Sequence, residues 1–339
     1  MSNKRICITG SLGFIGFHVM KKLHQQGAAV YGLDNCNDYY DRRWKFLRLK
    51  ALQRDQIETS PQDILDFSTL RTKIQAFKPT AILHLAAQAG VRYSMENPSS
   101  YLRANIDGTF HIFEIAKEFQ IPVVFASSSS VYGQNQKTPF EETDSTQSPT
   151  NFYAMTKQTC ELMASTYHFL YQIPIIGLRF FTVYGPYGRP DMAYFNFAEK
   201  MIQQKPILLF NKGALKRDFT YIDDIVDGII SALGFPVSHG VFNLGHHHPH
   251  AVHELVSLLE KHLGIKAMIE HGSAPLTDVK ETFASIEKSG QILGFQPRIC
   301  LDEGIKRFCN WYRRAIDELP DLALMKESHP EYFRSDLKR

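Results

Sequence analysis

Residues 4 to 16 read KRICITGSLGFIG, and this stretch decides the fold of the 339-residue chain. The apolar residues within 4–9 predict a short strand, and Gly10, Gly13 and Gly16 predict a turn after it. An amphipathic helix is expected from about 15 to 26. Strand, glycine turn and helix in this order form the context that a dinucleotide-binding fingerprint requires.

The glycine turn and the next strand together predict which dinucleotide binds. The glycines are spaced Gly-x-x-Gly-x-x-Gly, and they let the backbone approach a pyrophosphate that lies on the helix N-terminus. A second strand, at 29–33, is followed by Asp34, eighteen residues past Gly16. An acidic residue at this point accepts a hydrogen bond from a ribose 2′-hydroxyl and repels a 2′-phosphate. We therefore expect NAD rather than NADP.

The alternation of strand and helix continues to about residue 181. Further strands are predicted at 81–85, 123–126 and 173–180, and helices at 98–119 and 151–171. Beyond 182 glycine and proline become frequent and the strict alternation lapses. We therefore predict an α/β fold, with a Rossmann-type doubly wound parallel sheet and a smaller mixed α/β substrate lobe on the C-terminal side.

The predicted division of the chain follows the same break. Residues 1–181 form the NAD-binding domain, and 219–246 return to it. Residues 182–218 and 247–317 are expected to form the substrate lobe, and 318–339 a charged tail. The polar and basic stretch from 39 to 60 is interpreted as a loop and an exposed helix with a solvated charged face.

Two motifs, one after a predicted strand and one on a predicted helix, point to chemistry on a hydroxyl group. Four serines, 127–130, follow a predicted strand, where ligands bind in open α/β sheets. Tyr153 and Lys157 are four residues apart on a predicted helix and therefore share one face. A neighbouring ammonium favours ionisation of a phenol, which suits a general base for a sugar hydroxyl.

The bulk composition narrows the class of protein. A net charge of +3 gives no basic surface for nucleic acid. The N-terminal apolar stretch is too short for a membrane span. Five scattered cysteines without a Cys-x-x-Cys pair are typical of a reducing compartment, so a cytoplasmic protein is expected.

The histidines are not expected to take part in chemistry. Adjacent histidines within 246–250 point in different directions, and no metal site is expected. His84, inside a strand, is expected to be a packed core residue.

The motifs GSLGFIG, Asp34, SSSSVYG, YAMTK and RDFTYIDD resemble those of the extended short-chain dehydrogenase/reductases that act on nucleotide sugars. The resemblance runs from about residue 4 to 315. More narrowly, DNCNDYYD (34–41), RFFTVYGPYGRPDMAYF (179–195) and RDFTYIDDIVDG (217–228) resemble UDP-glucuronate 4-epimerases. Those enzymes interconvert UDP-glucuronate and UDP-galacturonate.

The resemblance implies a mechanism and a set of site residues. Tyr153 would take the proton of the sugar 4-hydroxyl while hydride leaves C4 for tightly bound NAD, giving a 4-keto intermediate. Lys157 would bind the nicotinamide ribose, and Ser128 would orient the 4-hydroxyl. The residues expected to contact NAD are Gly10, Gly13, Phe14, Ile15, Gly16, Asp34, Asn35, Asp63, Ile64, Leu85, Ala86, Ala87, Asn105, Tyr153 and Lys157. A carboxylate of the stretch 63–66 could reach the adenine or could instead cap the next helix.

The substrate follows from residues near the serine motif and beyond 181. Related dehydratases and decarboxylases carry acids where this chain has Ser129 and Ser130, so a keto sugar would be reduced again rather than lose a group. By the resemblance, these serines and Thr182 would hydrogen-bond the sugar carboxylate, and Arg189 would supply the charge. Arg217 would meet the diphosphate.

Alternatives remain open at this point. Arg189 could simply pair with Asp191. The enzyme could be a 4-epimerase of another UDP-hexose (UDP-glucose or UDP-N-acetylglucosamine), or a UDP-glucuronate decarboxylase-like enzyme. A non-catalytic NAD-binding protein would be expected to lack Tyr153 or Lys157, and both are present. The expected partners are a UDP-sugar and a second copy of the chain, through the helices at 98–118 and 151–171, with no nucleic acid and no membrane.

Overall fold

The computed structural model describes residues 1, 3–235, 238–272 and 279–333. The α-helices are Phe14–Gln25 (α1), Arg43–Arg54 (α2), Phe67–Phe77 (α3), Tyr93–Glu96 (α4), Pro98–Tyr101 (α5), Gly108–Phe119 (α6), Phe152–Tyr171 (α7), Ala193–Ile202 (α8), Ile222–Gly234 (α9), Val252–Leu263 (α10), Glu287–Leu293 (α11), Leu301–Ala315 (α12) and Leu322–Ser328 (α13). The strands are Arg5–Thr9 (β1), Ala29–Asp34 (β2), Thr59–Pro61 (β3), Ala81–His84 (β4), Val123–Ser128 (β5), Ile175–Phe180 (β6), Thr182–Tyr184 (β7), Ile207–Phe210 (β8), Lys216–Tyr221 (β9), His239–Leu244 (β10), Pro249–Ala251 (β11), Ile269–Gly272 (β12) and Glu281–Thr282 (β13).

Seven parallel strands form the central sheet in the order β10-β6-β5-β4-β1-β2-β3. The inner strands are apolar at almost every position because helices cover both faces of the sheet. β1 pairs with β2 on one side and with β4 on the other, so the direction of the chain order reverses at β1. Ligands of such sheets bind outside the carboxyl ends of the strands at this reversal. The predicted fold class is confirmed.

A smaller region of short strands lies beyond the central sheet. β9 pairs with β7 and β13 in parallel and with β11 antiparallel, while β8 and β12 form a separate pair. β10 follows β7, β8 and β9 in the chain, yet it returns to the central sheet beside β6. Both regions therefore contribute to the same edge, where the carboxyl end of β6 runs directly into β7.

The prediction that the helix between 39 and 60 is exposed is wrong. In α2, Trp44, Phe46 and Leu49 are buried, and so are the charged residues Lys45 and Arg48. The Trp44 ring packs against aromatic residues of α8 and α12, which are far away in the sequence. The basic composition suggested a solvated face, but the ammonium of Lys45 and the guanidinium of Arg48 bind partners inside the molecule, while Arg43 and Arg54 are exposed.

The long helix predicted at 98–119 is divided into three parts. A π-helical turn, Leu102–Asp107, separates α5 from α6. π-turns of this kind change which side chains face the core, and they are frequent near functional sites. Here the turn directs Asn105 into the interior, where its side chain is fully buried.

The first part of the predicted tail folds back onto the molecule. After α13, a 3₁₀ turn at Pro330–Phe333 lies against α2, while residues 334–339 lie outside the described part of the chain. Over the described residues, no helix combines the length and apolar character needed to cross a membrane.

Candidate active site

A large cavity of about 1310 Å³ runs along the carboxyl edge of the central sheet. One end is lined by the glycine turn and the ends of β2 and β3, and the other by residues of α8, β8 and β9. Sites for one small ligand usually have volumes of about 300–1,000 Å³. The cavity is therefore large enough for a dinucleotide and a second ligand side by side.

The glycine turn brings the start of α1 to this cavity. Gly10 has a φ of +74°, and a β-carbon there would lie 2.7 Å from the backbone nitrogen of Ala86. Only glycine therefore lets the turn pass so close to the end of β4. No side chain caps α1, and its first turn has no acidic residue. Its first amide groups are available to a phosphate, which fits the pyrophosphate of a dinucleotide.

Asp34 has a structural role, and its predicted contact with a ribose stays a prediction. Its carboxylate accepts hydrogen bonds from the backbone nitrogens of Leu12, at 3.0 Å, and Cys36, at 2.7 Å. The Lys45 ammonium lies 3.8 Å from the same group. Asp34 thus fixes the glycine turn while lining the cavity. Asn35 donates a hydrogen bond to Asp63 at 3.0 Å, linking the ends of β2 and β3.

The predicted catalytic helix starts at the centre of the cavity. The Asn151 side chain caps α7 by accepting a hydrogen bond from Ala154, which sets Tyr153 in the first turn. The Lys157 ammonium donates a 2.8 Å hydrogen bond to the Ala126 carbonyl of β5. It lies 5.9 Å from the centre of the Tyr153 ring. The Tyr153 phenol and the Lys157 ammonium are therefore held on one face of α7, as their spacing predicted.

The four serines after β5 have different environments. Ser127 donates a 2.5 Å hydrogen bond to Glu161, which also forms a buried ion pair with Arg179. Ser128 is hydrogen-bonded to Ser130 at 3.2 Å and, with Ser129, lines the cavity. Ser127 also lines the cavity, but its hydroxyl is committed to the Glu161 carboxylate, so Ser128 is the better placed hydroxyl of β5 for a ligand.

Two of the predicted contact residues do not line the cavity. Ser130 lies in a 3₁₀ turn, Ser129–Tyr132, in which successive side chains radiate in different directions, and its hydroxyl faces Ser128. Asn105 exchanges two hydrogen bonds with the backbone of Gln88 and donates one to Thr156, between Tyr153 and Lys157. Asn105 therefore positions the walls of the cavity from the interior.

The remaining predicted residues line the same cavity. They are Gly10, Gly13, Phe14, Ile15, Gly16, Asn35, Asp63, Ile64, Leu85, Ala86, Ala87, Thr182, Arg189 and Arg217. Arg217 donates hydrogen bonds to the carbonyls of Lys216 and Val279. Asp63 accepts from the nitrogen of Leu65, two residues on, so it shapes the turn after β3. His84 is buried between Thr9 and Thr109, which confirms its place in the core.

Arg189 is paired with Asp191 in this structure. Its guanidinium forms a two-pronged ion pair with the Asp191 carboxylate, with a 3.0 Å bond from Nε. The Tyr39 hydroxyl donates to the same carboxylate at 3.1 Å. Burial opposes ionisation of Asp191, but the guanidinium outweighs it and holds the pKa of the carboxyl below its usual value. All three side chains line the cavity.

Sequence reasoning missed Arg48, a fully buried arginine that joins the two sides of the cavity. It donates to Leu12 in the glycine turn and to the carbonyls of Tyr187 and Gly188, just before Arg189. These bonds are 2.7 to 2.9 Å long. The position of Arg48 one helical turn from the buried Trp44 was the available signal, but the basic composition of the stretch obscured it.

Comparison with known proteins agrees with this geometry. The profile of the NAD dependent epimerase/dehydratase family matches residues 6–245. UDP-glucuronate 4-epimerase 4 of Arabidopsis thaliana is 45% identical over 326 residues, which cover 91% of this chain and 75% of that protein. UDP-glucuronate 4-epimerase of Thermodesulfobacterium geofontis is 42% identical over 313 residues, covering 91% of this chain and 96% of that one.

A solved structure is similar over nearly the whole fold. The UDP-glucuronic acid 4-epimerase of Bacillus cereus, in complex with UDP-glucuronic acid and NAD, superposes with a TM-score of 0.86 at 30% identity. The match covers 92% of this chain and 99% of the Bacillus cereus chain.

Proposed function

Because the chain belongs to the NAD dependent epimerase/dehydratase family, we propose that it converts UDP-glucuronate to UDP-galacturonate by NAD-dependent epimerisation at C4. The names of its relatives support the substrate and the cofactor. The observation that carries the proposal is the single cavity in which Tyr153, Lys157 and Ser128 lie beside the uncapped start of α1. The glycine turn and the central sheet would hold NAD, and the region around β7 to β9 would hold the UDP-sugar.

Tyr153 is the proposed general base. As the phenolate, it takes the proton of the sugar 4-hydroxyl, which Ser128 orients by a hydrogen bond. The ammonium of Lys157, fixed on the Ala126 carbonyl, offsets the negative charge at Tyr153. When bound, NAD supplies the acceptor for the hydride from C4 and later returns it. The product of this half-reaction is the 4-keto sugar.

The second half-reaction reverses the first on the other face of the sugar. After the 4-keto ring has turned in the cavity, C4 regains a hydride and Tyr153 returns its proton to the 4-oxygen. Ser129 offers a hydroxyl rather than a carboxylate beside the ring, so no acid on that side assists elimination. The net change is inversion at C4, with no consumption of cofactor.

Specificity for an acidic sugar rests on Arg189 in this proposal. A substrate carboxylate would take the place of Asp191 on the guanidinium, since both present two oxygens to the same fork. Thr182 and Ser129 would add hydrogen bonds from the opposite side, and Arg217 would bind the diphosphate. Substrate binding therefore involves an exchange of carboxylates.

We also propose that the protein is a homodimer. Phe110, Phe152, Leu162, Phe169 and Leu170 expose large apolar side chains on α6 and α7. Phe169 is 77% exposed and Leu162 is 63% exposed, which is costly on a surface that faces only water. A second copy packed against these two helices would cover them.

The free cysteines support a cytoplasmic location as a further part of the proposal. Cys7, Cys36, Cys160 and Cys309 are buried thiols that form no disulfide. Such thiols persist in a reducing compartment.

The direct test is to mix the purified protein with UDP-glucuronate, without added NAD, and to follow the anomeric proton signals by NMR. We expect UDP-galacturonate to appear and to reach an equilibrium mixture. No conversion of UDP-glucuronate, with conversion of UDP-glucose instead, would overturn the substrate assignment.

The second candidate function is therefore 4-epimerisation of UDP-glucose. The pairing of Arg189 with Asp191 favours it, because this pair leaves the cavity without an uncommitted charge at that point. A pentose product would indicate decarboxylation.

A further inference from the structure

The 3₁₀ turn at Pro330–Phe333 reaches the dinucleotide end of the cavity. Tyr332 is 3% exposed, and it lines the cavity together with Asp34 and Asp63. No motif predicted a contribution from this part of the chain, which follows α12 and α13 on the other side of α2. The C-terminal segment therefore supplies a wall of the cavity that the central sheet does not.

Several specific contacts hold Tyr332 in place. Its hydroxyl donates a 3.1 Å hydrogen bond to Thr59 of β3, and its carbonyl accepts one from Arg42. The next residue, Phe333, stacks on Phe46 of α2 with ring centres 5.2 Å apart and planes 7° from parallel. The Arg42 guanidinium lies 4.1 Å from the centre of the Phe333 ring. This part of the segment is an ordered, packed structure.

The location of Tyr332 identifies the part of a dinucleotide it would meet. β3 is the edge strand of the sheet, next to β2, and β2 ends in Asp34. A carboxylate at the end of β2 marks the adenosine ribose in this fold. Burial, and the nearby Asp34 carboxylate, raise the pKa of the Tyr332 phenol, so it remains protonated and can donate to Thr59. An aromatic ring beside this point suits a flat base.

We propose that Tyr332 forms the outer wall of the adenosine subsite, and that Pro330–Phe333 thereby slows the release of NAD. The inference rests on the proposed function, because it takes NAD as the ligand of this end of the cavity. Retention suits the proposed chemistry: an epimerase returns its hydride in every cycle and never needs to exchange its cofactor. A wall tied to both α2 and β3 can act without blocking entry of the UDP-sugar at the other end.

The test compares Tyr332→Ala with wild type and with Leu324→Ala, a matched control on α13. Leu324 is 63% exposed and is not among the cavity residues. The measurement is the NAD content after gel filtration, followed by the rate at which bound NAD exchanges with added labelled NAD. For Tyr332→Ala we expect exchange about tenfold faster than wild type, from the loss of one aromatic contact. Its activity without added NAD should fall and should recover when NAD is supplied.

The KM for UDP-glucuronate separates a local effect from general damage. It should stay within about twofold of wild type in Tyr332→Ala at saturating NAD, because the substrate lies at the far end of the cavity. Leu324→Ala should match wild type in every measurement. Tyr332→Phe keeps the ring and loses the bond to Thr59, so its exchange rate should stay close to wild type.

Two results would overturn the inference. One is an NAD exchange rate in Tyr332→Ala equal to wild type, and the other is equal acceleration in Tyr332→Phe and Tyr332→Ala, since the ring would then not be the wall. Failure of the proposed function is distinguishable from both. In that case the wild-type protein itself would hold no NAD and convert no UDP-glucuronate.

Discussion

The two ends of the reaction centre differ in how they are held. On the hydride side, where Tyr153 and Lys157 are the proposed catalytic pair, Lys157 is fixed to a β5 carbonyl and α7 is capped by Asn151, so both groups are held by backbone contacts. On the specificity side, the Arg189 guanidinium is occupied by Asp191, which also accepts a hydrogen bond from Tyr39. The first is built into a sheet and a helix. The second depends on side chains from distant loops.

This difference indicates which kinetic parameter each side controls. Preorganised groups lower the barrier without rearrangement at the moment of reaction. The Arg189 guanidinium must leave the Asp191 carboxylate before it binds a substrate carboxylate. It therefore contributes to selectivity only the difference in free energy between these two ion pairs. Substitutions on the hydride side should therefore change kcat, while those on the specificity side should change KM and the choice of substrate.

The largest effect is expected for Tyr153→Phe. Removing the general base should lower kcat by roughly 10³-fold or more, since a positioned acid–base group contributes about 10²–10⁴-fold. NAD content should be unchanged. Tyr167→Phe is the matched control on the same helix, because its hydroxyl bonds to Glu114 away from the cavity. NMR turnover of UDP-glucuronate near the wild-type rate in Tyr153→Phe would contradict the assignment.

The next effect tests the specificity side. Arg189→Gln should raise the KM for UDP-glucuronate by about 10- to 100-fold, the usual value of a charged hydrogen-bonded contact of about 1.5–3 kcal/mol. Any conversion of neutral UDP-glucose should be spared, because that sugar presents no carboxylate. Steady-state kinetics with both sugars give the answer. An equal loss on both would mean that Arg189 holds the loop and not the substrate.

A pH effect of intermediate size should come from the hydride side. Burial lowers the pKa of His84 from its usual 6.5 to about 3, with Lys157 adding to the effect. Below pH 6.5 the His84 imidazole is therefore protonated in the unfolded chain but stays neutral in the folded chain. The free energy of unfolding consequently decreases as pH falls. Each pH unit in this window lowers the free energy of unfolding by about 1.4 kcal/mol. Between pH 6.5 and 5, His84 should therefore lower it by about 2 kcal/mol.

Urea unfolding at pH 7 and pH 5 measures this effect. His84→Gln should be less stable than wild type at pH 7, because its neighbours Thr9 and Thr109 lose a fitted partner. It should also lose less stability on going to pH 5. His24→Gln, on the exposed side of α1, should keep the wild-type dependence on pH. The same loss of stability in His84→Gln and wild type would exclude His84 as the source.

The smallest effect is expected for Asp191→Asn. An amide holds the guanidinium less tightly than a carboxylate, so Arg189 becomes easier to recruit. The KM for UDP-glucuronate should fall by about threefold to fivefold, within the usual range of about 1 kcal/mol for a partly exposed ion pair. A rise in KM would indicate that Asp191 positions Arg189 for the substrate. The specificity side would then be as preorganised as the hydride side.

Sequence patterns predicted the hydride side because its signals are local. The glycine turn, Asp34 and the pair Tyr153 and Lys157 each depend on spacing within one element or one turn. Arg48 and Tyr187 are 139 residues apart, and Arg42 and Tyr332 are 290 apart, so periodicity cannot link them. Ser130 and Asn105, which do not line the cavity, lie in 3₁₀ and π turns that depart from the 3.6-residue repeat. Their contacts with substrate and NAD stay predictions.

The late position of β10 in the chain has a consequence for biosynthesis. β10 closes one edge of the central sheet, but β7, β8 and β9 are all translated before it. Until His239–Leu244 emerges from the ribosome, β6 presents an unpaired edge that other strands can join. At roughly 5–20 residues per second, synthesis of the intervening stretch takes several seconds. The nascent protein therefore passes through a stage in which one edge of its central sheet is open to other strands and to chaperones.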